Sequence, residues 1–83
     1  MDFEQVKNLI KDKIEDAHVE VTDLTGTQDH LGLLVISDQF EGKALLAQHR
    51  MVMDSLKESL KEAIHAVKIK TLTYTKAKES GVL

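Results

Sequence analysis

Ser37-Asp38-Gln39-Phe40-Glu41-Gly42-Lys43, continuing as ALLAQHRMVMDSLKESLKEAIHA from Ala44 to Ala66, is the stretch whose reading decides the fold. At 100° per residue, Leu45, His49, Val52, Met53, Leu56, Leu60, Ala63 and Ile64 share one stripe roughly 100° wide, the pattern of a helix that covers a core. The spacing predicts a long helix beginning near Ala44, preceded by a tight turn at Phe40-Glu41-Gly42-Lys43. His49 falls on the apolar stripe, which predicts a buried structural histidine hydrogen-bonded to backbone. His65 falls about half a turn from the middle of that stripe if the helix continues, and otherwise opens the following strand.

Working outward, Leu31-Gly32-Leu33-Leu34-Val35-Ile36 is continuously apolar and suits a central strand. Before it, His18 to Leu24 alternates, with Val19 and Val21 facing one way and Glu20 and Thr22 the other. Thr25-Gly26-Thr27-Gln28-Asp29-His30 is the polar loop that joins these two strands as a hairpin. Phe3, Val6, Leu9, Ile10, Ile14 and Ala17 repeat at helical spacing, and Asp2 can cap that helix. After the long helix, Ala66 to Thr73 alternates again, with Val67 and Ile69 inward and Lys68 and Lys70 outward. A helix of that length permits a right-handed crossover between parallel strands. The expected fold class is α+β, a two-layer αββαβ arrangement. Helices cover one face of a three-stranded mixed sheet, Glu20, Thr22, Lys68 and Lys70 lie on the other, and Tyr74 to Leu83 forms a short C-terminal helix or a fraying tail.

Eighty-three residues make one domain, 1–83, and no internal repeat or Pro/Gly/Ser linker divides it. With 42% apolar and 30% charged residues, the composition is that of a folding globular chain rather than a disordered one. A net charge of −3 opposes general attraction to nucleic acid or to anionic membrane, so any nucleic-acid binding is expected to be weak. No segment approaches the roughly 18 apolar residues of a membrane span, and the N-terminus has no basic start followed by an apolar run. The expectation is a cytoplasmic protein. Cysteine is absent, which removes disulfides, thiolate metal ligands and a cysteine nucleophile from this chain. No pairing of nucleophile and base emerges, and the four glycines form neither a P-loop nor a GxxG clamp. The expectation is a protein that is not an enzyme.

The segments VISDQFEGK, QHRMV and IHAVKIKTLT, in this order and on an αββαβ pattern, together resemble the BolA family over most of the chain. The resemblance implies a fold like the class II KH domain and a monothiol glutaredoxin as partner. It also implies a [2Fe-2S] cluster shared with that glutaredoxin and glutathione, with no cofactor expected in the isolated chain. His65 matches the family's C-terminal histidine, an iron ligand. Read from its surroundings alone, it is a histidine that favours the negative end of a helix. His30 lies in the hairpin loop where the family places a second ligand, and its plain alternative is an exposed loop residue. Imidazole nitrogen is a known ligand to one iron of a two-iron cluster. His18 reads as surface.

Some family members are described as DNA-binding regulators. The resemblance therefore also implies a partner or nucleic-acid surface, for which Phe40, Gly42, Lys43, Arg50 and Lys68 are the candidates. Gln48 stands where the family's signature has an arginine, which takes one cation from that surface. The expected function is a non-enzymatic adaptor in iron-sulfur trafficking or iron sensing, and the alternative is a DNA-binding transcriptional regulator.

Overall fold

The computed structural model describes residues 3–26, 30–57 and 67–83. Its elements are α1 (Phe3–Lys13), β1 (His18–Asp23), β2 (Leu31–Ile36), a 3-10 turn (Asp38–Phe40), α2 (Leu45–Leu56), β3 (Val67–Leu72) and α3 (Tyr74–Glu79). The strands lie in the order β1-β2-β3. β1 runs antiparallel to β2, with His18 opposite Ile36 and Asp23 opposite Leu31. β3 runs parallel to β2, with Leu31 opposite Val67 and Ile36 opposite Leu72. The mixed sheet and the crossover expected from the sequence are both present.

Strand alternation sorts the side chains into two faces. Val19, Leu31, Leu33 and Val35 point inward and are buried with Val6, Ile10 and Ile14 of α1, and with Val52 and Leu56 of α2. Burying each such side chain contributes about 1.5–3 kcal/mol, which is why the two helices stay on one layer. Glu20, Thr22, Lys68 and Lys70 point the other way and are exposed. Ile36 also alternates outward, yet it is fully buried, as is Ala77 of α3, and neither belongs to the main cluster. Since α3 follows β3 directly and contacts it, this short helix supplies cover at that end of the outer face.

Two sequence expectations need correction. The stripe on α2 is rotated from the one expected, because Leu45 is 61% exposed, while Val52, Ser55 and Leu56 are buried. Leu45 borders an open notch with Gln48 and Thr71 rather than the core. Of the two forms expected after β3, the short helix is the one present. Thr73 caps α3 by accepting a hydrogen bond from the Lys76 N–H at 3.2 Å, and Ala77 is fully buried. α1 ends at Lys13, and Ala17 reaches the core through a turn closed by its N–H donating to the Ile14 carbonyl at 3.0 Å. Asp2, the loop residues 27–29 and the expected continuation of α2 through residues 58–66 lie outside the described residues.

Candidate functional site

The end of the sheet where β2 and β3 finish is built around Asp16. Ser37, fully buried, donates its hydroxyl to Asp16 Oδ1 at 2.6 Å, and the Asp38 N–H donates to Oδ2 at 2.9 Å. The Gln39 side-chain amide adds a third bond to Oδ1 at 3.2 Å. Burial pushes the Asp16 carboxyl up, but these donors outweigh it and hold the group below the usual carboxylate range. Tyr74 of α3 donates its phenol to the Asp16 carbonyl at 2.6 Å. Partial burial, then the charges of Asp16 and Asp38, push that phenol up. One aspartate thus joins the α1–β1 link, the β2 exit and α3.

Gln48 does comparable work beside it. Its amide donates to the carbonyls of Lys43 at 2.8 Å and Phe40 at 3.3 Å, and its oxygen accepts from the Thr71 hydroxyl at 2.5 Å. A guanidinium has no acceptor, so an arginine here lacks the means to take the Thr71 bond. Gln48 is a fastening residue between β3 and the loop before α2. The loop turns at Gly42, whose φ of 73° is the left-handed conformation that glycine adopts without strain.

The five residues expected to form a partner or nucleic-acid surface separate. Phe40 is 1% exposed and belongs to the main core, so it is structural and not a surface residue. The physical reason is the 3-10 turn, which Ser37 caps by accepting from the Gln39 N–H, and which turns the Phe40 ring inward. Gly42 and Lys43 line a notch with Glu41, Gln48, Thr73 and Lys76. Arg50 is exposed on α2, in the helical layer, whereas Lys68 lies on the open face of the sheet. Lys76 of α3, whose place the local sequence pattern does not signal, joins Lys43 as the second cation of the notch.

His49 is half-buried, and its Nε2 is buried with no hydrogen-bond partner among the described residues. The expected bond to backbone is absent at that nitrogen. His18 is exposed and pairs with Glu20, 3.2 Å away, as a surface residue.

At the opposite end of the sheet, His30 immediately precedes β2. Its carbonyl accepts from the Leu24 N–H at 2.9 Å and closes the hairpin, while the residue as a whole is exposed. Its ring makes no hydrogen bond to the described residues. Leu31 sits opposite Val67. His65 lies outside the described residues, two positions before Val67 in the sequence. Among the described residues no three His, Cys, Asp or Glu side chains gather as a metal site. None of the described helices is long and apolar enough to cross a membrane.

A family model described as BolA-like protein matches residues 2–76. The chain belongs to the BolA family. Protein BOLA2 of Arabidopsis thaliana is 46% identical over 68 residues, which cover 81% of this chain and 72% of that protein. The DNA-binding transcriptional regulator BolA of Escherichia coli (strain K12) is 27% identical over 77 residues, covering 84% and 73%. The NMR structure of a BolA-like hypothetical protein from Rickettsia prowazekii matches with a TM-score of 0.72 at 33% identity, covering 88% of this chain and 95% of that one. The cap at Thr73 and the burial of Ala77 show that this BolA-family chain ends its sheet with a docked helix.

Proposed function

We propose that this chain is a non-enzymatic adaptor that pairs with a monothiol glutaredoxin and shares a [2Fe-2S] cluster with it. The observation that carries the reading is the parallel register of β2 and β3. Leu31 lies opposite Val67, so the residue after His30 and the second residue after His65 are neighbours at one end of the sheet. In this reading His30 and His65 each supply an imidazole to one iron of the two-iron cluster, as in centres where two histidines replace two thiolates. The chain has no cysteine, so the thiolates must come from the partner and from glutathione. The cluster is the cargo of the pair, and exchange of thiolate for imidazole changes its charge and its readiness to leave.

The experiment is assembly of the chain with a monothiol glutaredoxin and glutathione without oxygen, followed by visible absorption and circular dichroism. Wild type is expected to give a chromophore distinct from that of the glutaredoxin alone. His65→Ala is expected to remain folded and to lose that distinct spectrum. An unchanged spectrum in a folded His65→Ala protein removes the central residue of the reading.

DNA-directed regulation takes second place because the cations are dispersed. Lys43 and Lys76 flank the notch, Arg50 lies on α2, and Lys68 and Lys70 lie on the open sheet face. Binding that rests on phosphate contacts falls steeply with salt. Tight, sequence-selective retention of a duplex near physiological salt reverses the ranking.

A further inference from the structure

The outer face of the sheet carries an apolar centre with one carboxylate on the β1 side and two lysines on the β3 side. Leu34 and Gly32 of β2 lie in the middle, and Leu24 leans over Gly32, its Cδ2 3.3 Å from where a Cβ on that glycine would stand. Thr22, Leu24, Gly32, Leu34, Lys68 and Lys70 border a shallow depression there. On one side β1 presents Glu20, paired with His18 at 3.2 Å, and on the other β3 presents Lys68 and Lys70. The register places Glu20, Leu34 and Lys70 in a single row across the three strands.

We propose that this face pairs transiently with the same face of a second copy of the chain, about a two-fold axis parallel to β2. The charge row selects both the occupant and the axis. Rotation about an axis along β2 carries β1 of one copy over β3 of the other, so each Glu20 faces the partner's Lys70 and the two Leu34 side chains meet at the centre. Rotation about an axis across the strands stacks β1 on β1, which sets Glu20 against Glu20 and Lys70 against Lys70. Like charges held together oppose that arrangement. Either axis leaves the strands of the two copies aligned, as in packed twisted sheets about 10 Å apart, so the charge row alone decides between them. At that spacing Leu24 of each copy fills the space above the glycine pair.

The area determines how strong the pairing is. Three strands of six residues present a face of roughly 14 Å by 20 Å, about 300 Å² per copy. A stable dimer buries about 800 Å² per partner, so the pair forms and separates readily. It assembles at high protein concentration and leaves the His30 end of the sheet at its rim.

Sedimentation of the intact chain over a series from about 10 μM to about 1 mM tests the proposal. The average mass is expected to rise from that of the 9.3-kDa chain toward twice that value. Glu20→Lys is expected to remain folded, since β2 separates Glu20 from Lys70 within one copy, and to stay monomeric across the series. The double variant Glu20→Lys/Lys70→Glu restores the opposed pairs across the axis and is expected to recover the rise. A wild-type chain that stays monomeric at the highest concentration overturns the proposal. So does a Glu20→Lys variant that associates as wild type does, or a double variant that fails to recover. None of these readouts involves iron or a glutaredoxin, so they are independent of the adaptor reading.

Discussion

Where β2 and β3 finish, the chain is fastened by side chains drawn from five segments; where they begin, the described residues offer one backbone bond and a local turn. At the first end Asp16 receives Ser37, Asp38 and Gln39, its carbonyl receives Tyr74, and Gln48 ties Thr71 to the loop at Phe40 and Lys43. At the second end the Leu24 N–H meets the His30 carbonyl, and Asp23 accepts from the N–H groups of Thr25 and Gly26 in a local turn. The contrast separates two uses of polar residues. Those of the first end are consumed in holding elements together, whereas the His30 ring is exposed and has no bond to the described residues. A side chain able to meet an outside ligand is one that the fold does not already employ.

The comparison is tested most severely at Phe40, which the family pattern suggested as a surface residue and the structure places in the core. Phe40→Ala is expected to destabilise the fold by about 3–5 kcal/mol, through lost burial and the cavity left behind. Equilibrium denaturation in urea measures it. A loss below about 1 kcal/mol, the scale of a surface change, shows that the fastened end is not packed on this ring.

Asp16→Ala comes next, with an expected loss of about 1–2 kcal/mol at neutral pH, because the buried Ser37 hydroxyl loses its charged acceptor. The pH dependence has a definite sign. The folded carboxyl titrates below its ordinary value of 3.8, so its contribution is fully present above that value and is lost as pH falls through the lower folded value. Denaturation midpoints of wild type and Asp16→Ala should therefore converge on acidification. A gap that stays constant to the acid end removes the carboxylate from the account. Tyr74→Phe is a smaller probe of the same end, worth about 1 kcal/mol for one hydrogen bond. The Tyr74 phenol is shifted upward, so its contribution is present below its ordinary value of 10.0 and is lost as pH rises through the higher folded value. The wild-type advantage over Tyr74→Phe should accordingly fade only in alkali.

Hydrophobic period made the layers legible in the sequence. Alternation at Val19 and Val21, the apolar run from Leu31 to Ile36, and the lysines at 68 and 70 gave strand identity and facing, because each is a local pattern of period two. The rotation of α2 was not legible. Leu45 is apolar and in phase with the expected stripe, but whether it meets the core depends on how α2 docks on the sheet, which is a tertiary fact. The same holds for Asp16 and Tyr74, 58 positions apart in the sequence, which meet only after the sheet is assembled. Thr73 favours the helix over the tail, since a threonine followed by Tyr-Thr-Lys-Ala has the form of a capped helix start. Of the site, family pattern indicated His30 and His65, while spacing alone left each with an ordinary alternative.

His30→Ala is the smallest expected effect on stability and therefore the sharpest use of the comparison. An exposed residue whose ring bonds to none of the described residues should change folding free energy by no more than about 0.5 kcal/mol. Its backbone carbonyl still receives the Leu24 N–H, so the hairpin closes as before. In the mixed assembly with a monothiol glutaredoxin and glutathione, the same substitution is expected to shift or weaken the visible absorption, by less than His65→Ala does. The two measurements have to diverge for the contrast between the ends to hold. A His30→Ala protein that melts well below wild type makes this end another fastening, whereas one that folds normally and leaves the cluster spectrum untouched makes His30 a plain surface residue.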